Sequence, residues 1–211
     1  MGGLLFGLGV FIAVLYLPWV PRPPGWRRSL RKTLPVALFA LAAVADGAPV
    51  MLCAALALSA LGDLALARPG QRAFLAGMIA FALAHLAYIA LMIGAGAALP
   101  PPLPALALIL AALSTEIWLA PRTGALGWPV RAYVAVIAAM GLMALGLPGG
   151  YAPARAAALL FMLSDALLAL ETFVIGSGKG ARAGGLKAWL ARAVWITYIA
   201  AQAGFLLAFS T

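Results

Sequence analysis

The chain has 211 residues, of which 66% are hydrophobic and 9% charged, with fourteen Lys and Arg against five Asp and Glu. Soluble domains carry about a quarter charged residues, so this composition excludes a soluble globular protein and predicts an all-α integral membrane bundle, a single transmembrane domain over residues 1–211. The net charge of +9 does not point to nucleic acid, because the basic residues sit between apolar runs and form no continuous face with interleaved aromatics.

A spanning helix needs about 20 mostly apolar residues, with a range of about 17 to 25. Eight segments approach that length: 3–20, 33–46, 48–67, 73–97, 102–120, 129–147, 153–174 and 188–209. The first lacks a basic leader and is followed by charges, which argues for a true span rather than a cleaved signal. The second is short. It stops at the turn Ala45-Asp46-Gly47-Ala48-Pro49, where Asp46 reads as a cap or turn residue, and it reaches full length only by starting near Arg31.

Cytoplasmic loops hold the excess of Lys and Arg, which tests this count. Arg22, Arg27, Arg28, Arg31 and Lys32 lie between the first two segments, Arg68 and Arg72 between the third and fourth, Arg122 and Arg131 between the fifth and sixth, and Lys179, Arg182, Lys187 and Arg192 between the last two. Only Arg155 falls in the opposite set. Eight spans with both termini on the non-cytoplasmic side satisfy the rule, giving a multi-pass protein of the cell (inner) membrane. The basic loops also attract the anionic inner leaflet, at about 1 kcal/mol per residue.

Connections are short and rich in Pro and Gly, as in PWVPRPPGW at 18–26 and GSGKGARAGG at 176–185. GSGKG is not a phosphate loop: the required earlier glycine is Phe173, and Gly180 stands where Ser or Thr must follow the lysine. Abundant Ala and Gly suit close helix packing in lipid.

Two stretches share a local spelling, SALGDLALA at 59–67 and LSDALLALE at 163–171, with Asp63 in the third span and Asp165 in the seventh. Those spans run in the same direction, so the chain admits a parallel four-plus-four repeat. An ionisable residue at mid-membrane costs about 2.5 to 3.5 kcal/mol on insertion scales, and therefore marks a packed interior or a watery cavity. At about 1.5 Å per residue, Asp63, Asp165 and Glu116 fall in the cytoplasmic half, with His85 and Tyr198 near mid-depth. They can line one cavity that opens inward. Tyr88, Ser114, Ser164 and Gln202 complete the polar groups of the spans, while Glu171 lies close to the interface. The plain alternative is that both aspartates are neutral acids bonded to Ser59 or Ser164, holding the bundle together.

With one His and Cys53 as the lone cysteine, no disulfide is available within the chain and a zinc site would need an unusual carboxylate shell. No metal or cofactor is expected.

Several segments in order resemble the YhhN-like lysoplasmalogenase family of eight-span membrane proteins. RKTLPVALFAL is similar to the family's basic-Lys-Pro-Leu start of the second span, with Thr33 and Leu34 separating Lys32 from Pro35. LSALGDLAL resembles its Ser-x-x-Gly-Asp-x-x-Leu motif, FLAGMIAFALAHLAY its Phe-x-x-Gly and His-x-x-Tyr pattern, AALLFMLSDALLAL its second aspartate motif, and TYIAAQAGF its Tyr-x-x-x-Gln signature. The resemblance implies hydrolysis of the vinyl ether bond of lysoplasmalogens, or of a related lysophospholipid ether, to a fatty aldehyde and a glycerophospho-headgroup. It implies no cofactor, and partners limited to the lysophospholipid substrate and membrane lipids.

That reaction begins with protonation of the vinyl β-carbon and leaves an oxocarbenium ion for water to capture. It needs an acid still protonated near neutral pH, a condition met by a carboxyl withdrawn from water. A second carboxylate can stabilise the cation and activate water, as in glycoside hydrolysis. Asp63 and Asp165 are the expected pair, in either order. Lys32, His85, Tyr88, Glu116, Ser164, Tyr198 and Gln202 are expected to bind or orient, with cytoplasmic-side Arg and Lys on the phosphate. The rival readings are a proton-coupled small-solute or lipid transporter, which needs polar groups reaching both faces, and a structural or lipid-sensing protein without turnover.

Overall fold

The computed structural model describes residues 1–176 and 181–210. Lys179 and residues 177–180 of the glycine-rich loop lie outside them, as does the side chain of Arg182. The described residues form helices and no strand: α1 (Gly2–Tyr16), α2 (Trp26–Ala45), α3 (Val50–Leu66), α4 (Gln71–Gly94), α5 (Pro102–Trp118), α6 (Gly127–Leu145), α7 (Ala152–Ala169) and α8 (Ala181–Phe209). A π-helical turn, Leu170–Ile175, continues α7.

Six of these helices are long and apolar enough to cross a membrane: α1, α4, α5, α6, α7 and α8 with their short extensions. The α3 helix is apolar but has 17 residues. The α2 helix has length enough, yet it begins at Trp26 rather than at 33, so Arg27, Arg28, Arg31 and Lys32 are helical and not part of a loop. Long basic side chains make this early start tolerable, because their stems pack while their heads reach polar surroundings. Arg22 and Arg31 both lie over the Trp19 ring, at 3.9 and 3.7 Å from its centroid.

Small residues bring the helices together. Ala42, Ala43, Ala55, Ala157, Ala158 and Ala201 are all buried, as close approach in lipid requires. Gly62 is the tightest case between α3 and α4: a Cβ there would lie 2.6 Å from Cε2 of Phe81. Gly47 and Gly70 have φ of 68° and 101°, a backbone region that L side chains rarely adopt, and they turn the chain at the end of α2 and the start of α4. Asp46, beside Gly47, accepts a hydrogen bond from the Gly2 backbone amide at 3.1 Å, so it caps the neighbouring helix α1.

At the centre, Phe161 packs against the rings of His85, Phe81, Tyr88 and Tyr198, with centroids 4.5 to 6.3 Å apart. Trp195 ties α8 to α1 by donating to the Ala13 carbonyl at 3.0 Å. The α5 helix stands at the edge: Leu108 is its one buried residue, and it packs chiefly on α6.

Candidate active site

Asp63 follows Gly62 on α3, and its side chain is only 2% exposed. Withdrawing a carboxylate this far from water is unfavourable unless other groups replace the water. Two do. The Tyr198 hydroxyl of α8 donates to Oδ2 at 2.6 Å, and Lys32 Nζ of α2 lies 3.3 Å from Oδ1. Behind Tyr198, one turn along α8, Gln202 accepts a hydrogen bond from the Tyr88 hydroxyl at 2.5 Å. Three helices thus converge on one acid, with a second bonded polar pair one turn further along α8.

Asp165 on α7 has different company. The Tyr133 hydroxyl of α6 donates to its Oδ2 at 2.8 Å, and His85 Nε2 lies 3.7 Å from the same oxygen. His85 Nδ1 is 2.6 Å from the Phe81 carbonyl, one turn back on α4. A carbonyl can only accept, so Nδ1 carries the hydrogen, and in the neutral ring Nε2 presents its lone pair towards Asp165. That nitrogen has no hydrogen-bond partner of its own.

Both carboxyls line one cavity of about 490 Å³, within the usual range of ligand pockets, about 300 to 1,000 Å³. Arg22, Arg28, Lys32 and Lys187 also line it, as do Glu171 and Thr172 of the π-helical turn, a type of distortion that recurs at functional sites. The buried hydroxyl of Tyr16 forms part of the wall and has no partner among the described residues. A second cavity of about 340 Å³ lies between α4, α5, α6 and α7. Apart from Asp165 and Tyr133 its wall is apolar, since the hydroxyls of Ser114 and Thr115 are turned back onto the carbonyls of Ala111 and Ala112.

The structure brings together most of the polar residues singled out in the sequence. Asp63, Asp165, Lys32, Ser164 and Tyr198 line the larger cavity, His85 lies beside Asp165, and Tyr88 and Gln202 are bonded to each other one turn beyond Tyr198. Ser164 donates to the Val194 carbonyl at 3.1 Å and to neither aspartate, and the Ser59 hydroxyl has no partner among the described residues. The aspartates are therefore held by tyrosines, not by serines. Glu116 is a correction: Arg131 grips it through hydrogen bonds of 2.8 to 3.0 Å, the pair is 48% and 41% exposed, and it lines neither cavity. Its side of the helix faces outward.

Tyr133 and Tyr16 went unnoticed in the sequence. A hint was present, because a tyrosine inside an apolar run needs a partner for its hydroxyl. Among the described residues, no three of His, Cys, Asp and Glu come together as a metal site would need.

Comparison with known proteins follows the same lines. The YhhN family model matches residues 27–210. Lysoplasmalogenase TMEM86B of Homo sapiens is 35% identical over 173 residues, which cover 76% of this chain and 70% of that protein. Lysoplasmalogenase TMEM86A of Bos taurus is 32% identical over 177 residues, covering 76% and 73%. No solved structure matches the chain significantly.

Proposed function

Given that the chain belongs to the YhhN family, we propose that it is a membrane-embedded hydrolase that cleaves the vinyl ether bond of lysoplasmalogens, with Asp63 and Asp165 as its acid and base. The observation that carries this reading is that two carboxyls, from α3 and α7, line a single cavity whose wall also holds Arg22, Arg28, Lys32 and Lys187. A cavity with four basic side chains suits a phosphate, and two carboxyls suit a reaction that first adds a proton to carbon and then takes one from water. Relatives named lysoplasmalogenases support the substrate class.

Eight spans, with both termini on the non-cytoplasmic side and the basic cavity facing the cytoplasm, are part of the same proposal. The distribution of Lys and Arg supports it. A parallel four-plus-four arrangement also fits, since α3 with α4 and α7 with α8 are the most extensively packed helix pairs, and each aspartate comes from the first helix of its pair.

The direct experiment is aldehyde release from defined lysolipids by the purified protein. Turnover of a vinyl ether lysolipid, with none of the corresponding ester, supports the proposal. Failure on every vinyl ether, with solute or lipid movement across vesicles instead, replaces it with the transporter reading.

A further inference from the structure

The geometry points to one lysolipid filling both cavities, headgroup in the basic one and hydrocarbon chain in the apolar one, with Asp165 as the acid that protonates carbon and Asp63 as the base that activates water. This division of labour rests on the lysoplasmalogenase reading and sharpens it, since that reading leaves the order of the two acids open.

The two cavities share part of their walls, and among the described residues Asp165 is the one ionisable residue that lines both, whereas Asp63 lines the basic cavity alone. In a vinyl ether the β-carbon, which takes the proton, is on the hydrocarbon side. The α-carbon, which takes water, is bonded to the ether oxygen on the headgroup side. An acid at the junction of an apolar and a polar chamber therefore faces the first carbon, and a carboxylate within the polar chamber faces the second.

The apolar cavity also has a route to lipid. Ala111 of α5 and Ala166 of α7 line it and are exposed, so it opens at the outer surface of the bundle beside the peripheral helix α5. A hydrocarbon chain can enter there sideways without crossing the charged wall.

Lys32 stands 3.3 Å from Asp63 and stabilises it as a carboxylate, the form a base needs. Among the described residues no Lys or Arg pairs with Asp165. Its neighbours are the Tyr133 hydroxyl and the lone pair of His85 Nε2, and a lone pair is a partner for a protonated carboxyl and not for a carboxylate. The 3.7 Å separation is long for a hydrogen bond, as is common before a substrate closes a site.

The steps balance. Asp165 gives its proton to the β-carbon, forming a C–H bond, and the ether oxygen shares the resulting positive charge with the α-carbon. Water forms a C–O bond to the α-carbon as Asp63 takes its proton. The hemiacetal hydroxyl then returns a proton to Asp165 while the bond from the α-carbon to the glycerol oxygen breaks, and Asp63 gives its proton to that oxygen. Aldehyde and alcohol leave, and both residues regain their starting states.

Hydrolysis in deuterium oxide separates the two roles. In Asp63→Asn, protonation of carbon still occurs and reverses because water capture is slow. Aldehyde release falls at least about 100-fold, while recovered substrate gains deuterium at the β-carbon. In Asp165→Asn neither happens. Exchange that persists in Asp165→Asn overturns the assignment, and so does its absence in a folded Asp63→Asn protein.

If Asp63→Asn does not fold, Ala138→Phe carries the test, because Ala138 lines the apolar cavity. The expected result is a shift in the ratio of kcat/KM for hexadecenyl over octenyl substrates, by about 10-fold in favour of the shorter chain. An unchanged ratio overturns the two-chamber assignment while the parent enzyme remains active. A parent protein inactive on every vinyl ether removes the underlying reading instead.

Discussion

Lys32 and Asp63 face each other 3.3 Å apart across α2 and α3, with the lysine side chain 18% exposed and the aspartate side chain 2%. Breaking a buried pair by removing one partner costs about 3 to 5 kcal/mol, because the survivor is left without compensation. Lys32→Met therefore lowers the thermal unfolding midpoint in detergent, and the double variant Lys32→Met with Asp63→Asn recovers most of the loss. Equal losses in the single and double variants would show that the pair contributes little.

The Tyr133 hydroxyl orients Asp165 through its 2.8 Å bond to Oδ2. Tyr133→Phe removes this donor without changing the ring. Aldehyde release is expected to fall about 10-fold, equivalent to about 1.4 kcal/mol in the barrier, through kcat and not KM. A rise in KM at constant kcat would instead place Tyr133 in substrate binding.

Gly62 lets the Phe81 ring lie against α3, where an added Cβ would approach Cε2 to 2.6 Å. Overpacking of this kind costs about 1 to 3 kcal/mol. Phe81 also supplies the carbonyl that holds His85, so Gly62→Ala is expected to reduce both the unfolding midpoint and aldehyde release. Retention of both would mean that the ring shifts freely.

Glu116 and Arg131 form their pair away from both cavities, on a surface that is about half exposed. Glu116→Gln is accordingly expected to leave aldehyde release at the parent rate, measured with the same lysolipid. A large loss would return Glu116 to the site despite its outward position.

The polar cluster of this chain was legible in its sequence to the extent that polar groups are rare in it. In an apolar helix every carboxyl, histidine or glutamine needs a partner, so Asp63, Asp165, His85, Tyr198 and Gln202 stand out by their surroundings. Sequence position also measures depth along a helix.

Depth is not direction, and here only the tertiary structure decided. Glu116, which the sequence groups with the other acids, faces out, whereas Tyr133, which drew no notice in the sequence, faces Asp165. The early start of α2 at Trp26 turns Lys32 from a loop charge into the partner of Asp63. The two aspartates come to one cavity through the packing of helices far apart in the chain, at glycines and alanines whose common composition carries no label for the neighbour they admit. Which residue meets which depends on helix rotation and close approach, quantities set by the whole bundle together.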